Sequence, residues 1–491
     1  MSKHIMASDM ITFLILVGIA RVSGMCPFPC KCEISYSSVR HVTDCSNASL
    51  GKIPVFDVRT HELLACCNSI SEVTEGTFSR QEMPEVEMID LSSNRISMIE
   101  RPSLAMFPNL QVLLLAKNRI TWLPRDVFRD TPSLRSLDFS HNPLLSAPRL
   151  DIPLLQWLSI SHCGLSKLPL DSFKLSPRLE NIKLNHNEIQ SIPAELFSGL
   201  KLLKYLHLEG NQLEVLHPDT FKANRNFYWL NISENMIKLP ENDSFLNADE
   251  LNLLDLGQCN LRFLPAESLS NLPKLTQLRL HGNNFLSLSN ESFANLQALE
   301  YLELQDNQLL NLDFLSHLQN LTYLDVAYNE LTTLDVDVFQ NMTYLHTLYV
   351  SGNPLLCDCV TSDAINWCIS RNIRTAYDDL DCLELLDCGR EPQNFTDALM
   401  TSTTGRISDF QVASNPASSS TSEQKSCDVP LYLIVLLVIA LCTIVSLTVA
   451  LIVIQRRLRR QSPKNILFKI ISPSRSVDSE TFLHSLDSEV I

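Results

Sequence analysis

The chain has 491 residues and carries 39 basic against 55 acidic side chains, a formal net charge of −16. A general nucleic-acid binder needs a basic face to displace phosphate counterions, and this balance argues against one. With 45% hydrophobic residues, 12 glycines and 24 prolines, the chain is neither wholly disordered nor collagen-like. Its fifteen cysteines suit an oxidising compartment.

Residues 1–24 read as a secretory signal peptide. Lys3 and His4 precede an apolar run, Ile11 to Ala20, and the small residues before Met25 mark a cleavage site. That run is too short for a span, which needs ~20 residues. Residues 25–54 hold Cys26, Cys30, Cys32 and Cys45, followed by Leu50-x-x-Ile53-Pro54. Clustered cysteines read either as a zinc site or as disulfides, and the secretory signal favours disulfides.

Residues 55–353 carry an internal repeat with the frame L-x-x-L-x-L-x-x-N, as in Leu110-x-x-Leu113-x-Leu115-x-x-Asn118. Its end position recurs thirteen times, from Asn68 to Asn353, and nine of the twelve intervals are 24 residues. Eleven end positions are Asn, and Cys163 and Cys259 fill the other two. Leucines alternate with other residues at strand period, so each repeat should form one short strand that only stacked neighbours can cover. The Asn amide is placed to satisfy loop backbone groups that stacking buries. Phe recurs ten residues after the end position, at 78, 128, 173, 197, 221, 245, 293 and 339, and is expected to build a second core column. Repeats this short leave room behind the sheet for turns and short 3₁₀ pieces. Cys163 and Cys259 stand four repeats apart, about 19 Å at strand spacing, too far for a disulfide. They are expected to be buried thiols. Cys66 and Cys67 lie in the first repeat, where the frame is poor, and have no evident partner.

This frame resembles the leucine-rich repeat family, which accepts Asn or Cys at the end position. The resemblance covers nearly all of residues 26–390. It implies an α/β solenoid: a horseshoe of about 13 repeats with a parallel concave β-sheet. The flanking cysteines resemble the caps of extracellular members. The C-terminal one, residues 354–390, holds Cys357, Cys359, Trp367, Cys382 and Cys388. The resemblance implies the pairs Cys26–Cys32, Cys30–Cys45, Cys357–Cys382 and Cys359–Cys388, although Cys368 is an additional cysteine inside the second cap.

Residues 391–429 form a Ser/Thr-rich stalk that cannot bury a core. Cys427 at its end is a candidate for an intermolecular disulfide. A transmembrane helix is expected over 430–454, where Leu431 to Ile454 carry no charge; Arg456, Arg457, Arg459 and Arg460 follow. The topology is then single-pass type I in the plasma membrane, with the N-terminal region outside. The remaining residues, 455–491, form a tail shorter than an independent domain, usually at least ~50 residues. Its Glu489-Val490-Ile491 end resembles a PDZ ligand, with Ile491 supplying the carboxylate. Seven N-x-S/T sites fall on the outer side: Asn47, Asn231, Asn242, Asn290, Asn320, Asn341 and Asn394.

Residues six, four and two places before each end position should point out of the concave face. The first column contains Trp157, Tyr205, Trp229, Tyr301 and Tyr323; the second is rich in acids. Such rings are either binding hot spots or lateral packing over the strands. The acids are either a docking surface for a basic partner or a solubility device. A glycan on Asn231 would divide the face and leave Arg279, Tyr301, Glu303, Tyr323, Asp325 and Tyr349 open as the candidate ligand-binding patch. Catalytic motifs are missing: His61-Glu62 begins a zinc motif that Ala65 ends, and neither a nucleophile elbow nor a phosphate-binding loop occurs. The chain is therefore expected to be no enzyme and to need no metal or cofactor. The resemblance implies a cell-surface receptor or adhesion molecule binding a protein. The alternatives are a ligand-binding subunit or co-receptor, of innate immune or growth-factor type, that signals through a companion chain, and a modulator of another protein in the same membrane.

Overall fold

The computed structural model describes residues 26–35, 40–78, 82–356 and 358–376. The expected signal peptide, stalk, membrane helix and tail lie outside them, as do Cys357, Cys382, Cys388, Asn394, Cys427 and Ile491. Among the described residues, no helix is long and apolar enough to cross a membrane.

Each repeat after the first contributes one three-residue strand to the main sheet at the predicted place, for example Val112–Leu114, Asn181–Lys183 and Tyr301–Glu303. The central residue of each triplet points inward. Leu113, Ile182 and Leu302 are buried, and they join one continuous core along the solenoid. Burying such an aliphatic side chain contributes about 2 kcal/mol. The strands pair in parallel without register slip from Met88–Asp90 to Thr347–Tyr349.

All eight repeat phenylalanines are buried, which makes their column core rather than ligand pocket. Phe173, Phe197 and Phe221 stack in series at centroid distances of 6.0 and 5.7 Å. Behind the sheet the chain runs through turns, short 3₁₀ segments such as Pro218–Phe221, and single helical turns such as Asn290–Phe293. The longest described helix is Cys359–Ser370, in the C-terminal cap.

The solenoid has about fourteen turns rather than thirteen. The extra strand, Arg374–Ala376, pairs in parallel with Thr347–Tyr349. It carries neither the leucine frame nor an end Asn. At the other end, Lys31–Ser35 and Arg40–Asp44 form an antiparallel pair that joins the sheet through Thr60–Leu64. The disulfides Cys26–Cys32 and Cys30–Cys45 are present in that cap. Cys359 is also disulfide-bonded. Thr60, which breaks the leucine frame, is fully buried, and its hydroxyl lies 2.9 Å from that of Thr43 in the cap.

Asparagine bonds hold the turns in order. The Asn118 amide nitrogen donates to the carbonyls of Leu115 and Ala116 in its own repeat and Leu91 in the preceding one. Its oxygen accepts from the Ile96 N–H at 2.9 Å. The same pattern recurs at Asn94, Asn142, Asn211, Asn235, Asn307 and Asn329. At the two exceptions a thiol replaces the amide donor. Cys163 Sγ donates to the Phe139 and Ser161 carbonyls, and Cys259 Sγ to those of Ile232 and Gly257. Burial pushes these thiols up to about 11 and about 12, so they are inert at neutral pH. A thiol offers no comparable acceptor, and the Leu144 N–H turns instead to the Asn142 backbone carbonyl.

Asn187 accepts from both Cys163 and Leu165 N–H groups. Asn187→Ala is expected to lower unfolding free energy by about 3 kcal/mol, because several buried backbone groups lose their partners. Asn187→Cys should cost less, since a thiol restores a donor. Chemical denaturation of the two variants checks the order, and equal losses would contradict it.

Candidate functional site

The outer sheet face is built by register. One row runs Asn181, Tyr205, Trp229, Leu253, Gln277, Tyr301, Tyr323 and Thr347, side by side on successive strands. The next runs Lys183, His207, Asn231, Asp255, Arg279, Glu303, Asp325 and Tyr349. The six predicted patch residues are therefore brought together on four neighbouring strands.

Within the patch, Arg279 bridges two strands. Its guanidinium lies 3.7 Å from Asp255 and 3.5 Å from Glu303, and 5.9 Å from the Tyr301 ring centroid. His281 stands 3.6 Å from the same Glu303 carboxylate. Tyr301 donates its hydroxyl to Glu303, and Tyr323 reaches Asp325 at 3.5 Å. The Tyr301 and Tyr323 rings stack at 4.0 Å, and Tyr349 meets Tyr323 edge-on at 5.7 Å. The rings thus do pack laterally over the strands. Packing leaves both tyrosines half-buried, so a ribbon of aromatic surface remains on the face.

Asp255 was outside the predicted patch, yet it anchors the Arg279 pair. Burial raises its carboxyl above the ordinary 3.8, while the Gly257 N–H, His281 and Arg279 oppose that rise. Burial, with a smaller contribution from Glu303, also raises Asp325. Burial, together with the neighbouring acids, pushes the Tyr323 phenol up to about 12 and that of Tyr301 further still. Both phenols are donors at any physiological pH.

The middle of the face differs from the expectation of exposed indoles. Trp157 and Trp229 are only 5% and 4% exposed. The Lys183 ammonium lies 5.9 Å from the Trp157 ring centroid, and the His207 ring packs 4.3 Å from that of Trp229. Burial drives His207 down to about 3 and Glu209 up to about 7. These central aromatics are shielded, whereas the tyrosines of the patch remain accessible at their edges. Among the described glycosylation sites, Asn47, Asn242, Asn290, Asn320 and Asn341 are exposed, and Asn231 is half-buried on the face. The Asn231 oxygen accepts from the Ser233 N–H and hydroxyl. Neither Cys66 nor Cys67 forms a disulfide, and burial raises the Cys66 thiol to about 11. Among the described residues, no group of three or more His, Cys, Asp or Glu is arranged to hold a metal ion.

This chain belongs to the leucine rich repeat family, whose pattern matches residues 59–120, 108–147, 153–213, 249–309 and 310–355. A 62-residue stretch is 37% identical to a phospholipase A2 inhibitor of Gloydius brevicaudus siniticus, covering 13% of this chain and 18% of the inhibitor. Among solved structures, it resembles the Drosophila Toll–Spätzle complex with a TM-score of 0.51 at 23% identity, over 63% of this chain and 44% of that one. The LRIM1/APL1C complex gives 0.52 at 23%, over 72% and 68%. The TLR13–ssRNA13 complex gives 0.54 at 22%, over 65% and 50%. At these identities the likeness is one of fold. The chain spans under a fifth of the inhibitor and under half of the Toll chain.

Arg279→Met is expected to lower stability by about 2 kcal/mol at neutral pH, because it leaves the buried Asp255 carboxylate without its guanidinium. A carboxyl raised in the folded state takes up its proton before the unfolded chain does as pH falls, so acidification favours the fold. The variant's deficit should therefore be smaller at an acidic pH, where Asp255 takes up its proton, than at neutral pH. Unfolding curves at both pH values decide this, and a deficit independent of pH would refute it.

Proposed function

We propose that this chain is a cell-surface receptor or adhesion molecule that recognises a protein partner through the outer face of its repeat sheet. The supporting observation is the patch spanning Gln277–Arg279 to Thr347–Tyr349. It joins three mutually packed tyrosines to acids that outnumber the single arginine. Tyrosines offer area with a polar tip at little entropic cost, and acids select against the wrong charge. A partner with an apolar centre and a basic rim fits both features. Protein is favoured over nucleic acid by the net charge of −16 and by the carboxylates around Arg279.

The signal peptide and the apolar run before the arginine cluster support a type I plasma-membrane protein with the repeats outside. Binding, rather than catalysis, is the proposed role. Two of the similar structures are protein complexes by name, Toll–Spätzle and LRIM1/APL1C, and a related stretch belongs to an enzyme inhibitor. The Toll complex is described as a hub in development and innate immunity, which favours a second reading: a ligand-binding co-receptor that signals through a companion chain.

Two experiments test the proposal. Mixed populations of dye-labelled cells, with and without the full-length chain, separate homophilic from heterophilic contact. Partner capture by the chain and by its Tyr301→Ala/Tyr323→Ala variant then tests the patch. Loss of a packed hot-spot pair should weaken binding by roughly 100-fold. Unchanged capture by a folded variant would move the site elsewhere on the face.

A further inference from the structure

The position just before each end Asn or Cys is in the left-handed region in all thirteen repeats, and ten of the thirteen residues there are not glycine. Because that geometry repeats every turn, these residues line up along one edge of the sheet. Three consecutive rungs are His141, His162 and His186. Their rings lie face to face, with centroids 4.2 and 4.5 Å apart and planes inclined by 9° and 22°. All three are exposed. The preceding rung is Lys117, also exposed. The following rung is Gly210 at φ +64°, and the His186 ring lies over it: a Cβ there would stand 2.3 Å from the His186 Nδ1. The stack is thus closed at one end by a bare backbone and extended at the other by a cation.

The charged groups around this ladder are few. Neighbouring positions in the same turns hold Ser140, Ser161 and Asn185 on one side and Pro143, Gly164 and Glu188 on the other. Asp138 accepts from Ser140, and Glu209 stands 3.9 Å from His207. Among the described residues, no carboxylate is in ion-pair contact with His141, His162 or His186, whereas His61, His207 and His281 each approach one. Many other cations are matched: Arg40 by Glu62 and Glu87, Arg279 by Asp255 and Glu303, Lys238 by Glu214.

We propose that the His141–His162–His186 ladder is a second interaction surface, which takes a carboxylate-bearing protein segment under mildly acidic conditions and releases it at neutral pH. Protonation places up to three positive charges beside Lys117, in a row that the described structure does not neutralise. The counter-charge must come from solvent or from a partner. Each gap of 4.2 to 4.5 Å lets one carboxylate accept from the ring on either side through its two oxygens. Burial, then the neighbouring His141 and His186, lower His162 below the ordinary 6.5, so charging the middle ring carries a cost that a bound anion offsets. A carboxylate that favours the charged rings therefore binds cooperatively with proton uptake. This surface is distinct from the tyrosine patch and differs from it in both partner charge and pH response.

The test uses the purified full-length chain and a labelled deca-glutamate peptide, at pH about 7.4 and about 5.5 and fixed salt. Binding should be roughly ten-fold tighter at the lower pH. His141→Gln/His162→Gln/His186→Gln should abolish that difference, and His162→Gln alone should reduce it; unchanged unfolding curves at neutral pH show that the fold survives. Equal binding at both pH values, or a pH response retained by the triple variant, would overturn the proposal. Acid-dependent binding of dextran sulfate without binding of the glutamate peptide would also overturn it, by assigning the ladder to sulfated glycans. A deca-lysine peptide bound equally well at the lower pH would reduce the effect to non-specific adsorption and overturn it too.

Discussion

The structure depends on the satisfaction of loop backbone groups that stacking removes from water. A 24-residue turn is too short to hide its polar chain behind long helices, and each turn presses its carbonyls and amides against the next. One asparagine in most turns answers this with both ends of its amide, bonding within its repeat and into the preceding one, and a thiol replaces its donor at Cys163 and Cys259. Leucine burial supplies the drive to collapse, but it is indifferent to rotation of one turn on another. The asparagine bonds are directional and act with the backbone ladder between parallel strands to hold the strands in the same register. The sheet face inherits its order from them: a residue's neighbours across the strands are its equivalents in adjacent repeats.

That inheritance explains why the surface is organised in rows. Side chains unrelated in sequence separation become contacts because they occupy equivalent positions. Tyr301 stacks on Tyr323, and Arg279 lies between Asp255 and Glu303, for this reason alone. The histidine edge is a third instance, built on the left-handed position rather than on the strand. A solenoid of this kind makes extended features cheaply, since one favourable residue type repeated at one position yields a strip. It also makes isolated catalytic constellations hard to build, because a site of three different groups must be assembled from three different turns.

Different parts of the outer face have different chemistry. The middle shields its tryptophans, and burial there pushes His207 down to about 3 and Glu209 up to about 7. The C-terminal part keeps ionised groups paired and aromatic edges accessible. Recognition by the latter is therefore favoured by geometry as well as charge, since no buried group must be uncovered before contact. The sequence columns separated the two parts only by the glycosylation motif at Asn231, and the burial of Trp157 and Trp229 is a further difference.

Much of the fold was legible from residue spacing. The leucine period, the end Asn or Cys and the phenylalanine column each follow from a local requirement that recurs every turn, and the strands lie where that period places them. The terminal turn over Arg374–Ala376 was not legible, because it carries neither the leucine frame nor an end asparagine. The reason for the poor frame of the first repeat was not legible either, since the Thr60 hydroxyl finds Thr43 only across the folded cap. The six patch residues could be placed on one face from their offsets. Their ring stacking, the anchoring role of Asp255 and the burial of Trp157 and Trp229 needed the tertiary structure. So did the left-handed edge, where serine, lysine, histidine, glutamate, glutamine and tyrosine share one backbone conformation and leave no common residue type to read. Sequence determined what each turn must bury; only stacking decided which side chains from different turns would meet, because that distance is set by register across the strands and not by separation along the chain.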